Sequence, residues 1–282
     1  MNRTVVVHGA TGIQGAPVVS RLHRGGWRVV AASRHPGPTP RGVVTAVADL
    51  GDRDSLVAAY RGADAVVVQL PLVFDAGLIG AHVANVLAAL KQAGVERAVL
   101  NANAALPPDE MGIPFVDGRV RLARQLPDAV PFATLVAPQF AYMENLAIPS
   151  SASRLRDRGE LAYPIPPDYP MPWVAMDDVA MVVAEVLDAP APPATRLVCG
   201  PTPLAGDDAA AALAAALGRE VRWISIDHVE FEAMLAPHLG PDAARGVSSF
   251  YAAPPTVPDA AEPPGLVRGP TTLDAWAASQ TW

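Results

Sequence analysis

Short apolar runs alternate with longer amphipathic stretches along the first half of the chain. Runs rich in valine, alanine and leucine predict buried strands at residues 5–7, 29–33, 43–48, 65–70, 98–101 and 133–137. Between them, apolar side chains at helical spacing predict helices at residues 18–24, 55–60, 78–93 and 117–126. Because strands and helices alternate, we expect parallel strands with right-handed crossovers and helices on both faces. The pattern predicts a doubly wound α/β fold.

Beyond Pro138 this alternation breaks down, and proline becomes frequent at residues 163–172 and 189–193. The elements predicted there are a short helix after Asp178, strands at 196–199 and 221–226, helices at 209–217 and 229–239, and a proline-rich loop at 254–265. We therefore expect two domains. Residues 1–138 form a nucleotide-binding domain, and residues 139–282 form a smaller, substrate-side lobe whose segments partly return to the main sheet.

The first strand runs into a glycine-rich turn that a helix follows. Glycines at such a turn let the backbone bend sharply and approach a pyrophosphate closely, while the helix N-terminus presents unpaired N–H groups to it. Pro17 is tolerated only near the first turn of a helix, so the helix is expected to start close to Gln14. The order strand–turn–helix predicts a dinucleotide site, and the alternative is a purely structural turn. Its expected members are Gly9, Thr11, Gly12, Ile13, Gln14 and Gly15.

Composition and charge exclude several classes of function. The 282 residues are 51% hydrophobic and 17% charged, with a net charge of -7 and no basic run, so nucleic acid and anionic membranes are poor ligands. The alanine-rich run at 209–217 is too short to span a bilayer, and the chain enters a strand without the apolar core of a signal peptide. Cys199 is the only cysteine, which excludes an internal disulfide and a thiolate metal cluster. We expect a cytoplasmic protein without a metal.

Several segments together resemble the NmrA-like family, a branch of the atypical short-chain dehydrogenases. They are Gly9–Gly15, Ser33-Arg34, Asp49-Leu50, Ala137–Leu146 with its Phe-x-x-Met-Glu-Asn-Leu pattern, Trp173–Ala180 with Asp-Asp-Val-Ala, and Gly269–Trp276. The resemblance covers nearly the whole chain and implies a Rossmann-type fold. Members of the family include quinone and dye reductases, phenylpropanoid reductases and redox-sensing regulators without catalysis.

The end of the second strand predicts which dinucleotide binds. An acidic residue about twenty residues past the glycines would accept a hydrogen bond from the adenosine 2′-hydroxyl and select NAD. Ser33 and Arg34 stand there instead, and a guanidinium suits a 2′-phosphate. We therefore expect NADP(H); the alternative is that Arg34 is an ordinary surface arginine.

Further cofactor contacts are expected at the ends of the next strands. The resemblance places Asp49 and Leu50 beside the adenine, the alternative for Asp49 being a helix cap. Strand ends of a parallel sheet face the cofactor. We expect Gln69, Leu70 and Pro71 there, with Asn101 and Asn103 at the nicotinamide ribose or carboxamide; such asparagines otherwise satisfy local backbone groups.

The proton donor of the tyrosine-dependent short-chain dehydrogenases has no counterpart. Their Tyr-x-x-x-Lys pattern is replaced here by Phe115 and Arg119, which lack an acidic phenol and a titratable amine. Lys91 is the only lysine, and it is expected at the wrong end of the sheet. Arg119 is instead expected to hold the ribose hydroxyls or the nicotinamide-side phosphate, the alternative being a surface role.

Residues after the sixth strand predict a substrate pocket. Aromatic and methionine side chains there favour a flat, apolar substrate, although ordinary packing is the alternative for each of them. The expected lining is Phe140, Tyr142, Met143 and Asn145, with Tyr163 and Trp173 on the far wall. Candidate catalytic residues are Tyr142, Asn145 and Arg119.

Three functions remain open from the sequence. The first is an NADPH-dependent reductase of a quinone, enone or conjugated dye, which needs no strong acid because water protonates a stabilised anion later. The second is a non-catalytic NADP(H) sensor that binds a protein partner, and the third is a non-redox isomerase or cyclase. A small-molecule substrate is expected in the first case, and a homodimer or protein partner is possible in all three.

Overall fold

The computed structural model describes residues 3–252 and 262–282. It contains two compact units, one of Met1–Pro138 with Met176–Val198 and one of Gln139–Ala175 with Cys199–Trp282. The first unit thus includes one segment from the C-terminal half of the chain. The division into domains 1–138 and 139–282 stays a prediction.

The strands predicted in the first half are all present. The described strands are β1 (Thr4–His8), β2 (Arg28–Ser33), β3 (Val44–Val47), β4 (Ala65–Val68), β5 (Arg97–Asn101), β6 (Phe132–Pro138), β7 (Glu160–Tyr163), β8 (Thr195–Cys199), β9 (Arg222–Ser225) and β10 (Leu266–Arg268). Strand β4 is buried along its whole length, which explains its uninterrupted apolar sequence.

The predicted helices are also present, most of them longer than expected. The described helices are α1 (Gly15–Arg24), α2 (Arg53–Tyr60), α3 (Ala76–Ala93), α4 (Pro114–Gln125), α5 (Pro149–Arg158), α6 (Met176–Asp188), α7 (Gly206–Leu217), α8 (His228–Leu239), α9 (Pro241–Ser248) and α10 (Leu273–Ser279). Helix α1 begins at Gly15 with Gln14 as its N-cap, as Pro17 predicts. The predicted short helix after Asp178 is wrong in length, because α6 has 13 residues.

Some elements escape the sequence pattern. Helices α5, α9 and α10 and strands β7 and β10 were not expected. The three helices have seven to ten residues and the two strands have three or four. A periodic pattern of apolar residues is hard to recognise over so few positions. The proline-rich loop predicted at 254–265 falls largely outside the described residues, which resume at 262.

The sheet of the first unit is parallel and has the order β8-β6-β5-β4-β1-β2-β3. Strand β1 lies inside the sheet between β4 and β2, where Val6 pairs with Val30 of β2 and Val66 of β4. The chain moves outward from β1 in one direction through β2 and β3, and in the other through β4, β5 and β6. Ligands of such sheets bind outside the carboxyl ends of the strands at this reversal point.

Helices pack on both faces of this sheet, since right-handed crossovers in opposite directions lie on opposite sides. Helix α1 packs against α6, and α3 packs against both α2 and α4. The core between the sheet and α2–α3 is built from fully buried aliphatic side chains, among them Leu56, Val86 and Leu90. Among the described residues, no helix is both long and apolar enough to cross a lipid bilayer.

The second unit has its own core. Strands β7 and β9 form a two-stranded parallel sheet, in which Tyr163 pairs with Ser225. Around it, α5, α7, α8 and α10 bury an aromatic-rich cluster that includes Trp173, Phe231 and Trp276. Just after β10, the Gly269 N–H donates to the Cys199 carbonyl at 2.7 Å.

Candidate functional site

The turn between β1 and α1 forms an open cradle at the carboxyl edge of the sheet. Gly9 has a φ of +58°, and the Gly12 N–H donates to its carbonyl at 2.9 Å, which closes a tight turn. Thr11, Gly12 and Ile13 are exposed, and the side chain of the N-cap residue Gln14 does not hydrogen-bond to the N–H groups of the helix. The first N–H groups of α1 therefore face no capping side chain, as a pyrophosphate site requires.

Close packing requires glycine at the last position of the turn. A Cβ on Gly15 would lie 2.1 Å from the Gly9 carbonyl oxygen and 3.0 Å from Ala10 Cα, so any side chain would displace the backbone. A Cβ on Gly12 would lie 3.3 Å from the same oxygen, which is tight but tolerable. Gly15 thus serves helix–strand packing, and Gly12 keeps the cradle free.

The ends of β2 and β3 form a second part of the site. Ser33 Oγ is buried and has no hydrogen-bond partner in the described part of the chain, and Arg34 beside it is exposed. Asp49 holds the turn after β3, because its carboxylate accepts the Gly51 N–H at 2.8 Å. The alternative role as helix cap belongs to Asp52, whose carboxylate accepts the N–H of the second and third residues of α2.

The ends of β4 and β5 carry further polar side chains without partners. Neither amide atom of Asn101, nor Nε2 of Gln69, has a hydrogen-bond partner within the described residues, although all three atoms are buried. Gln69 lies against the cradle, since its Oε1 would be 3.1 Å from a Cβ on Gly9. Gln14 Nε2 lies 3.5 Å from the Ala102 carbonyl oxygen. Asn103, two residues beyond Asn101, is half-buried. Buried polar atoms without partners are costly, and in native sites a ligand commonly satisfies them.

Arg119 is 3% exposed, so the alternative of a surface role is wrong. Its guanidinium donates to the carbonyls of Phe115 and Leu70, and to that of Pro71 at 3.4 Å. The side chain thereby fixes the segment that follows β4. Its predicted contact with the cofactor ribose or phosphate stays a prediction.

Phe115, at the position of the tyrosine in tyrosine-dependent short-chain dehydrogenases, makes an apolar contact. Phe115 is buried and its ring centroid lies 5.1 Å from that of Phe74. Lys91 is exposed in the last turn of α3, which runs back towards the amino ends of the strands. Its expected place at the far edge from the cradle is confirmed, so no lysine is available at the carboxyl edge.

The predicted substrate residues all belong to the second unit. Phe140, Tyr142 and Asn145 are half-buried, whereas Met143, Tyr163 and Trp173 are 1–2% exposed and belong to its core. The backbone at 142–143 pairs with Val174, to whose carbonyl the Met143 N–H donates at 2.9 Å. Contact of these six residues with a substrate stays a prediction.

A pair of hydrogen-bonded phenols lies among these residues. The hydroxyls of Tyr163 and Tyr251 are 3.1 Å apart, and the Asn145 side chain hydrogen-bonds to Tyr163. Burial raises the pKa of Tyr163 well above its ordinary value and that of Tyr251 to about 12, so both phenols keep their protons at neutral pH. The sequence analysis missed Tyr251, which precedes the proline-rich loop and carries no motif.

His82 in α3 is a second residue that the sequence analysis missed. It is 8% exposed, and its pKa is lowered by burial, raised by the Asp49 carboxylate and lowered by Arg34. Both charged residues are predicted adenosine contacts. A histidine among the apolar residues of a helix gave no signal by itself.

Comparison with known proteins agrees with this architecture. A sequence model of the NmrA-like family matches residues 1–243. The chain belongs to the NmrA-like family. The NAD(P)H azoreductase of Xenophilus azovorans, a curated relative, is 32% identical over an alignment of 260 residues that covers 89% of this chain and 87% of that protein. The resemblance inferred from the sequence motifs is confirmed.

Two solved structures share the NmrA-like fold. The NADPH complex of the NADPH-dependent quinone oxidoreductase QOR2 of Escherichia coli is 21% identical, with a TM-score of 0.64 over 88% of this chain and 90% of that one. NmrA, a negative transcriptional regulator in complex with NADP, is 17% identical, with a TM-score of 0.69 over 99% and 95%. The doubly wound Rossmann-type fold predicted for this NmrA-like chain is confirmed.

Proposed function

We propose that the chain is an NADPH-dependent reductase of electron-poor, conjugated small molecules of the quinone, enone or azo-dye kind. The observation that carries this proposal is the 32% identity to an NAD(P)H azoreductase along 89% of the chain. NAD(P)H-dependent oxidoreductase is the class that the relationship supports directly. The chemical kind of substrate is the finer part of the proposal.

The residues at the carboxyl edge of the first unit fit NADP(H). The N–H groups of the cradle would bind the pyrophosphate, and Arg34 with Ser33 would bind the 2′-phosphate. Asp49 would accept a hydrogen bond from the adenine amine, while Gln69 and Asn101 would bind the nicotinamide half. These assignments give a partner to the buried hydroxyl of Ser33 and to the buried amides of Gln69 and Asn101.

Substrates of this kind suit a site without a strong acid. When bound, NADPH supplies a hydride, and the protein contributes position and exclusion of water. Reduction of a quinone or enone leaves a stabilised anion, which water can protonate afterwards. The apolar Phe115 and the carbonyl-bound Arg119 provide no proton donor near the end of β4.

Single-turnover stopped-flow kinetics test the proposal. The protein, loaded with one equivalent of NADPH, is mixed with a panel of quinones, enones and azo dyes while loss of the reduced-nicotinamide absorbance is followed. We expect rapid oxidation by at least one class. Gly12→Val is the matched control, because a side chain in the cradle should prevent NADPH from binding and therefore abolish the signal.

A non-catalytic NADP(H) sensor is the second candidate function. The structural similarity to the regulator NmrA in complex with NADP favours it. Tight NADPH binding without oxidation by any member of the panel would support the sensor and contradict the reductase. Substrate conversion without net oxidation of NADPH would support an isomerase or cyclase.

Partners and compartment follow from the same proposal. The substrate is a small molecule, and the acidic net charge of -7 disfavours nucleic acid. The one cysteine, Cys199, is a buried free thiol, which suits the proposed cytoplasmic location. A homodimer or a protein partner stays a prediction.

A further inference from the structure

Helix α3 is anchored to the turn that follows β3. Asn85 Nδ2 donates to the Leu50 carbonyl at 2.9 Å. The helix starts beyond the carboxyl end of β4 and runs towards the amino ends of the strands. One turn before Asn85, and on the same face, is His82. The anchor therefore places His82 nearer than Asn85 to the carboxyl edge, where Asp49 and Arg34 lie.

The imidazole of His82 has an unused hydrogen-bonding atom. The side chain is 8% exposed, and its Nδ1 is buried without a hydrogen-bond partner among the described residues. Burial is the largest influence on its pKa and lowers it, so the ring is neutral at pH 7. A neutral imidazole has one donor and one acceptor nitrogen, and a half-turn about Cβ–Cγ exchanges the positions of Nδ1 and Cδ2.

We propose that His82 binds the adenine ring of NADP(H) through one of its ring nitrogens. The inference rests on the proposed function and adds a residue to its cofactor site. Adenine has acceptor nitrogens and an amine donor, so either kind of imidazole nitrogen finds a partner on it. The adenine would lie between Asp49 on the turn after β3 and His82 on α3. The hydrogen bond would satisfy the polar atom that the described residues leave unpaired.

The charges around His82 favour adenine over the 2′-phosphate as its ligand. The Asp49 carboxylate acts on the imidazole more strongly than the Arg34 guanidinium does. Asp49 is expected to bind the adenine amine, and Arg34 is expected to bind the 2′-phosphate. A phosphate dianion would prefer a cation, whereas His82 is neutral and Arg34 already supplies the positive charge.

Binding titrations of NADPH and NADH to purified variants test the assignment. One neutral hydrogen bond contributes about 0.5–1.5 kcal/mol, so His82→Leu should raise both dissociation constants by about 2- to 13-fold. His82→Asn places an amide near the position of Nδ1, and His82→Gln places one near that of Nε2. One of the two should bind within about twofold of the wild type, and its identity shows which nitrogen acts.

Two controls separate a contact from a structural effect. His23→Leu removes a histidine from the last turn of α1 and should leave both constants unchanged. Reduced nicotinamide mononucleotide lacks adenine, so its affinity should be equal in the wild type and His82→Leu. Thermal unfolding of each variant without cofactor shows that the fold is retained.

Several results would overturn the assignment. If His82→Leu weakened the binding of NADPH but not of NADH, His82 would be assigned to the 2′-phosphate. Unchanged dissociation constants for both cofactors in His82→Leu would exclude His82 from the site. Failure of both amide variants to restore affinity would exclude the hydrogen bond. A wild-type protein that binds no NADPH would overturn the proposed function as well, whereas normal wild-type binding with an inert His82 overturns this inference alone.

Discussion

At the end of β2, the buried hydroxyl of Ser33 precedes the exposed side chain of Arg34. Among the described residues, nothing hydrogen-bonds to Ser33 Oγ, so a ligand that did so would offset the cost of its burial. The Arg34 guanidinium beside it is exposed. The pair suits a 2′-phosphate better than a 2′-hydroxyl. An acidic side chain, which would select NAD, is absent from this strand end.

Replacing Arg34 with alanine should therefore weaken NADPH selectively. One charge-assisted contact contributes roughly 1.5–3 kcal/mol, so the NADPH dissociation constant should rise by about one to two decades while that of NADH stays nearly constant. Fluorescence titration of both cofactors measures this. Arg24→Ala, in the last turn of α1, is the matched control. Equal affinity of the wild type for both cofactors would contradict the NADP assignment.

The glycines of the cradle should respond differently to substitution. Gly12→Val should abolish NADPH binding with little loss of stability, because its Cβ meets only one atom at 3.3 Å. Gly15→Val should also lower the melting temperature, since its Cβ would overlap the Gly9 carbonyl at 2.1 Å. Calorimetric titration and thermal unfolding of both variants measure this difference. Normal NADPH binding by Gly12→Val would show that the glycines only form a turn.

At the scale of elements, α4 holds the end of β4 through a single buried side chain. The Arg119 guanidinium donates to the Leu70 carbonyl, which lies just beyond the strand. A buried carbonyl that loses its donor costs about 1–3 kcal/mol. The position that carries the catalytic lysine in tyrosine-dependent enzymes thus holds a residue that supports the backbone here.

Arg119→Met should lower the free energy of unfolding by about 1–3 kcal/mol, since it keeps the aliphatic length and removes the donors. Urea unfolding measures this as a lower midpoint at an unchanged slope. Arg121→Met, in the same helix but paired with Glu110 at the surface, should change stability much less. Unchanged stability of Arg119→Met together with lost NADPH binding would assign Arg119 to the cofactor directly.

Strand β1 and helix α2 share a buried polar pair. His8 Nε2 lies 2.7 Å from the Tyr60 hydroxyl, as expected for a packed, hydrogen-bonded core histidine. Burial lowers the pKa of His8 to about 4, and it raises that of Tyr60 far above its ordinary value. The unfolded chain binds a proton at His8 more readily than the folded protein does, so acid favours unfolding.

The free energy of unfolding should therefore be highest above pH 6.5 and should fall by about 3 kcal/mol as the pH decreases towards 4. Urea unfolding across this range measures the slope. His8→Asn should reduce it, whereas His238→Asn, which changes an exposed histidine, should not. A pH profile of His8→Asn parallel to that of the wild type would contradict the role of His8.

At the scale of the whole molecule, the chemistry-bearing residues are divided between two units. The first unit holds the cradle and the strand ends, and the second holds the aromatic residues and the two hydrogen-bonded phenols. In residues 3–252 and 262–282, no cluster of three or more His, Cys, Asp or Glu side chains is arranged for a metal ion.

Reductase activity should be independent of lysine, and Lys91→Ala should leave kcat unchanged. Tyr142→Phe should mainly alter KM, because hydride transfer to an electron-poor substrate needs no strong acid. A general acid contributes about two to four decades in rate. A loss of that size in kcat for Tyr142→Phe would show that a phenol of the second unit has replaced the missing donor. Steady-state kinetics with the best substrate of the panel distinguish these results.

The sequence by itself determined the fold of the first unit and predicted the residues of its candidate site. Parallel strands buried on both faces leave uninterrupted apolar runs, and a tight turn next to a helix start needs glycine; both are local constraints that a sequence records. Phe115 and Arg119 likewise stand in the sequence where tyrosine-dependent enzymes have their tyrosine and lysine.

Only the tertiary structure decided what those side chains contact. Arg119 is buried and supports the β4 end, while its cofactor contact stays a prediction. Asp52 caps α2, and Asp49 holds the preceding turn. The fold brings His82 under the electrostatic influence of Asp49, and it brings the Tyr251 hydroxyl within hydrogen-bond distance of that of Tyr163. Both partners are far away in the sequence. Such pairings depend on how strands and helices are brought together, and no periodicity in the sequence encodes them.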